Sequence, residues 1–121
     1  MDLLLDRGRS ALEEGDTARA IGHLSALIDH APEFAEGYNA RATAYFHQGR
    51  FGLSLDDIGR TLALNPRHFG AMTGLALILE ELGETDGALI AWREVEKLHP
   101  NREGLNESIR RLEVKIGGET L

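Results

Sequence analysis

The chain has 121 residues, a length that suits one domain with an elongated core. Hydrophobic residues make up 42% and charged residues 27%, the balance of a folded, water-soluble chain and not of a disordered one. Cysteine is absent, which excludes disulfides and thiol catalysis, and a net charge of −7 without a basic stripe argues against nucleic acid as a partner.

Taken in order, the first predicted helix runs from Asp2 to Glu14, with Leu4, Gly8 and Ala11 on its packing face. Gly8 is small, as a close helix crossing requires. Gly15 and Asp16 form a turn, and Asp16 is a suitable N-cap for a second helix from Thr17 to His30 that carries Ala20, Ile21, Leu24, Leu27 and Ile28. After Ala31, Pro32 and Glu33, a third helix covers Ala35 to Gln48, with Tyr38, Ala42 and Tyr45 at steps of four and three. Gly49 ends it, because glycine reaches left-handed backbone angles without a Cβ penalty. The fourth helix, Phe51 to Leu64, places Phe51, Leu55, Ile58 and Leu62 on one face, and Pro66 closes it. Phe69 to Leu82 and Thr85 to Leu98 form the next pair around Gly83, the former with Met72, Leu75, Ala76 and Leu79, the latter with Ala88, Leu89, Trp92 and Val95. Asn101 is a suitable N-cap for a last helix in which Leu105, Ile109, Leu112 and Ile116 form one apolar stripe, ended by Gly117 and Gly118. Residues 119–121 are expected to fray.

These signals repeat. Pro32, Pro66 and Pro100 are spaced by 34 residues, and Gly15, Gly49 and Gly83 keep the same step. So do Leu4, Tyr38 and Met72; Gly8, Ala42 and Ala76; Ala20, Ser54 and Ala88; and Leu24, Ile58 and Trp92. A helix–turn–helix unit of this period resembles the tetratricopeptide repeat, over Met1 to Arg102. The resemblance implies an all-α fold: a right-handed superhelical stack of three helix–turn–helix units (1–34, 35–68 and 69–102), with a C-terminal solvating helix over 103–117 and a single domain over 1–118. The sequence departs from the family pattern at Ala11, where a larger residue is usual, and at Leu27, Thr61 and Val95, where an alanine is usual. The terminal helix starts no fourth repeat, and an open-ended stack needs such a lid to remain soluble. Leu3 and Leu5 leave the first helix apolar on more than one side.

The resemblance also implies where function sits. In this family the first helices of each pair line a concave groove that binds a protein or peptide segment. Carried over position by position, the expected groove contacts are Leu5, Arg9 and Leu12 from the first repeat, Asn39, Thr43 and Phe46 from the second, and Thr73, Leu77 and Glu80 from the third. Chaperone-binding members grip a C-terminal carboxylate with Lys, Asn and Arg at five groove positions. Here those positions hold Leu5, Arg9, Ala40, Gly70 and Gly74, so that clamp is not expected. Arg9 is expected to pair locally with Asp6 or Glu13. Asn39 can bond a ligand backbone through both ends of its amide. Gly70 and Gly74, two glycines in one helix, read either as close packing or as room for a ligand backbone. An alternative function is self-association or assembly through the uncapped first helix, within a longer chain.

No enzyme is expected, nor any cofactor. The five histidines, His23, His30, His47, His68 and His99, are scattered without metal-ligand spacing. Asp56–Asp57 and Glu80–Glu81 are neighbours that point in different directions on a helix, so neither makes a catalytic dyad. Trp92 occupies a packing column and is expected in the core. No apolar run is long enough for membrane insertion and no signal peptide is visible, which favours the cytoplasm by default. Because Met1 lies almost inside a repeat, an export signal upstream of a trimmed chain is also compatible.

Overall fold

The computed structural model describes residues 2–100 and 104–119, with side chains for 3–100 and 104–117. Among them lie α1 (Asp2–Glu13), α2 (Thr17–His30), α3 (Ala35–His47), α4 (Phe51–Leu64), α5 (Phe69–Glu81), α6 (Thr85–Leu98) and α7 (Leu105–Glu119). The fold is all-α. The chain divides into two compact units, Met1–Pro66 and Arg67–Leu121. In the first unit α1 packs on α2, α2 on α3 and α3 on α4; in the second, α5 packs on α6 and α6 on α7.

The helix ends follow from local chemistry. Gly15, Gly49 and Gly83 all have φ between 72° and 80°, so each intra-pair turn uses the left-handed geometry that a Cβ disfavours. At the start of α2 the Asp16 carboxylate accepts the Arg19 backbone N–H at 3.1 Å. At α5 the same work is done by His68, whose Nδ1 accepts the Ala71 N–H at 3.0 Å. The Asn101 cap lies outside the described residues, as do Thr120 and Leu121. The last helix does not stop at the glycine pair: α7 continues through Gly117 and Gly118 to Glu119. Glycine in a helix costs only about 1 kcal/mol, too little to force a stop by itself.

The 34-residue columns become packing. In the first unit Leu5, Ala11, Ala20, Leu24, Leu27, Ala40 and Ala44 form one cluster, with Leu4, Leu12, Ile21, Ala31 and Phe34 against it. In the second, Ala76, Ala88, Ala91, Trp92 and Val95 form another, completed by Leu105, Ile109 and Leu112 of α7. The terminal helix thus buries its stripe on α6. The residues that depart from the family pattern, Ala11, Leu27, Thr61 and Val95, are all fully buried. Thr61 is accommodated because its hydroxyl donates to the Asp57 carbonyl at 2.8 Å.

Among the described residues of the first unit, one buried side chain is charged. Asp57 sits on the packing face of α4 with its side chain 3% exposed, and Arg41 of α3 meets it fork to fork, Nε to Oδ2 at 2.7 Å and Nη2 to Oδ1 at 2.8 Å. Arg41 Nη1 also donates to Ser25 Oγ of α2 at 3.2 Å. The Ser54 hydroxyl donates to the Ala42 carbonyl at 2.7 Å, a second tie between α4 and α3. The bond to Asp57 raises the Arg41 pKa above the already high arginine value. A raised folded-state pKa stabilises at every pH below the unfolded value, and that stabilisation is lost only as strong alkali carries the pH through the folded value. Arg41 therefore stays charged across the range in which proteins work.

Two predictions follow from this packing. A Cβ on Gly8 would lie 2.6 Å from Cγ and Cδ2 of the fully buried Leu24, whereas one on Gly59 would meet nothing within 4 Å. Gly8→Ala is expected to cost about 1–2 kcal/mol net of its gain in helix propensity, while Gly59→Ala gains about 0.5–1 kcal/mol, both read from urea unfolding. Asp57→Ala leaves Arg41 unpaired and is expected to cost about 3 kcal/mol. The double change Arg41→Met/Asp57→Leu recovers most of that loss, because it removes the charge together with its partner.

Candidate functional site

The first-of-pair helices were expected to carry the site. In the first unit, α1 and α3 touch. Their junction is polar: Arg9 Nη2 lies 3.3 Å from Glu36 Oε1, and Asn39 Nδ2 donates to the same oxygen at 3.0 Å. Arg9 thus pairs across to α3 and not along α1 with Asp6 or Glu13. Its side chain is half exposed, at 51%, so this contact is worth only a few tenths of a kcal/mol up to about 1 kcal/mol. Its effect is to set which way the groups face. One turn on from Asn39, the exposed Thr43 donates its hydroxyl proton to the Asn39 carbonyl at 3.2 Å. Phe46 follows, half-buried, its ring 5.6 Å from that of Phe51 and edge-on to His47 at 5.8 Å.

The other expected contacts separate. Leu5 is buried in the first unit's core, where Ala40 packs in the same cluster, so it offers no open surface to a ligand and its place is structural. Leu12 is half-buried against that cluster. In the second unit Thr73 is buried, whereas Leu77 stands 40% exposed on α5. Gly70 is exposed and Gly74 half-buried.

Glu80 is engaged inside the second unit. Its Oε1 accepts the indole N–H of Trp92, and both its oxygens accept Arg111 Nη2, at 2.8 and 3.1 Å. One carboxylate thus joins α5, α6 and α7. Trp92 lies in the core as its column implies, with its one polar atom satisfied. A second, exposed pair, Arg93 with Glu113 at 3.0 Å, also spans α6 and α7. Among the described residues no three His, Asp or Glu side chains are grouped to hold a metal ion, and no helix is long and apolar enough to cross a membrane.

Sequence reasoning missed the Arg41–Asp57–Ser25 cluster and the Glu80 node. For the first a signal existed. Ser54, Asp57 and Thr61 fall at steps of three and four, on the face that also carries Ile58, and polar residues in a packing stripe need partners from a neighbouring helix. For Glu80 no spacing in the sequence relates it to Arg111.

Helix hairpins of one length, with left-handed glycine turns at a fixed period and small residues where the helices cross, define a helical-repeat protein. The chain belongs to the tetratricopeptide repeat family, whose profile matches residues 5–59 and 48–103. A TPR repeat-containing protein of Rhizobium etli is 34% identical over 118 residues, 98% of this chain and 58% of that protein. The chain therefore spans little more than half of that relative's length. Among solved structures, the first TPR of Spaghetti (RPAP3) bound to the HSP90 peptide SRMEEVD matches with a TM-score of 0.90 at 22% identity, over 95% of this chain and 91% of that one. MamA matches with a TM-score of 0.89 at 25% identity, over 96% and 68%.

The Glu80 node can be read through the single tryptophan of the chain. Glu80→Ala leaves a buried indole N–H without its acceptor and is expected to cost about 1–3 kcal/mol and to red-shift Trp92 emission. Arg111→Ala removes only an exposed partner and is expected to cost less than about 1 kcal/mol, with little change in emission.

Proposed function

We propose that the chain is a non-catalytic module that binds a protein or peptide segment along the faces of its first-of-pair helices. In the first unit the contacts are Asn39, Thr43 and Phe46; in the second unit, taken by itself, the contact is Leu77. The observation that carries this is the α3 face itself. Tyr38, Ala42 and Ala44 are spent on packing, while Asn39, Thr43 and Phe46 remain wholly or partly open beside one another. An aromatic anchor next to hydrogen-bonding groups is the pattern in which binding energy concentrates.

The ligand differs from the HSP90 peptide held by the RPAP3 domain. Of the five positions at which the family clamps a terminal carboxylate, Leu5 and Ala40 are packed together in the core and Arg9 is held by Glu36. Gly70 and Gly74 have no side chain to offer. A free C-terminus finds no cation set at those positions.

A second function, self-association through α1, has one observation in its favour: Leu3 is 60% exposed. Sedimentation across a wide concentration range tests it. A single monomeric species that is unchanged by Leu3→Glu would dismiss it.

The binding function is tested by affinity capture from the source cell's lysate with the wild-type chain and a Phe46→Ala/Leu77→Glu variant, both confirmed as folded by circular dichroism. The expected outcome is a partner kept by the wild type and lost, by at least about tenfold, from the variant. A partner retained equally by both would place the contact elsewhere.

A further inference from the structure

We infer that the segment bound by the α1/α3 face is cationic, carrying Lys or Arg side chains, a conclusion that rests on the binding function proposed above. The donors and acceptors of this face differ in which of them are already engaged. A carboxylate can only accept, so the contact between Asn39 and Glu36 fixes the amide with its NH2 toward Glu36 and its Oδ1 turned away. Asn39 Oδ1 takes part in no hydrogen bond, and among the described residues no buried side-chain oxygen or nitrogen lacks a partner; Oδ1 therefore reaches solvent. Thr43 has committed its only proton to the Asn39 carbonyl and presents lone pairs. Arg9, the guanidinium of this face, is drawn onto Glu36.

On α1, Asp6 and Glu13 lie three residues before and four after Arg9, hence on the same side of the helix, and both are exposed. The pairing of Arg9 with Glu36 carries that side to the edge of α3. The face thus has the Asn39 amide protons and the Thr43 proton turned inward and one end of the half-exposed Arg9 against Glu36, while Asn39 Oδ1, the Thr43 lone pairs and the Asp6 and Glu13 carboxylates face outward, so that acceptors and negative charge outweigh the single cation. A ligand completes it by supplying donors and positive charge, which backbone N–H groups with Lys or Arg side chains do and which an acidic segment does not. Phe46, half-buried at the end of the same helix, gives the stems of such side chains an apolar and π surface.

The test uses three fluorescein-labelled, C-terminally amidated random nonapeptide pools: one enriched in Lys and Arg, one in Asp and Glu, and one in Ser and Asn. Each is titrated against the isotope-labelled full chain by anisotropy and amide chemical shift. The cationic pool is expected to bind about tenfold more tightly than the others, with an advantage that shrinks several-fold between about 50 and about 300 mM NaCl. It should move the amides of Asn39, Thr43 and α1. Asp6→Asn/Glu13→Gln, at exposed positions, should lower its affinity by about threefold or more with an unchanged circular dichroism spectrum. If the neutral or acidic pool binds as well and moves the same amides, the cationic class is wrong and the binding face stands. If the cationic pool moves only α2 and α4, or no pool binds, both the class and the face are overturned.

Discussion

The fork between Arg41 and Asp57 is the contact on which the first unit depends. It is the place where α2, α3 and α4 are held by direction as well as by contact area. Apolar packing alone would tolerate small rotations of α3 about its axis. A bidentate guanidinium–carboxylate pair with Ser25 as third partner does not, because each of its bonds has a required angle. Fixing the rotation of α3 fixes which of its residues are buried. Tyr38 and Ala42 are then inside, and Asn39, Thr43 and Phe46 are left on the open side. The face proposed to bind is in this sense a consequence of an ion pair on the far side of the same helix.

The second unit solves the corresponding problem by other means. There the polar node is Glu80, and it holds the indole of Trp92 and the guanidinium of Arg111. The residue expected to reach a ligand instead ties three helices together. The apolar seam of α7 supplies the area, through Leu105, Ile109 and Leu112, and Glu80 supplies register. Both units thus combine a core of small and branched residues with one charge-assisted network that sets helix orientation, and each network leaves no buried side-chain polar atom unsatisfied among the described residues.

Most of the fold was legible in the sequence because it is written in residues whose effect is local or periodic. Glycine at a left-handed turn, proline after a helix and small residues at a crossing act through backbone geometry, and a fixed period repeats the message. Gly8 against Leu24 and Trp92 in its column follow directly. The site was less legible because it depends on which side chain reaches across to which helix. Arg9 has acidic neighbours at helical spacing along α1 and still pairs with Glu36. Leu5 and Glu80 stand at groove positions by count, but burial claims the first and a three-helix bond network the second. The end of α7 was misread for a milder reason: two glycines weaken a helix without terminating it.

The most direct measurement is hydrogen–deuterium exchange of the chain alone and in complex with a partner captured from the source cell. Binding at the proposed α1/α3 face predicts slowed exchange over α3 and the facing side of α1, with α2 and α4 unchanged. Protection confined to α2 and α4 would place the partner on the opposite surface and contradict the account.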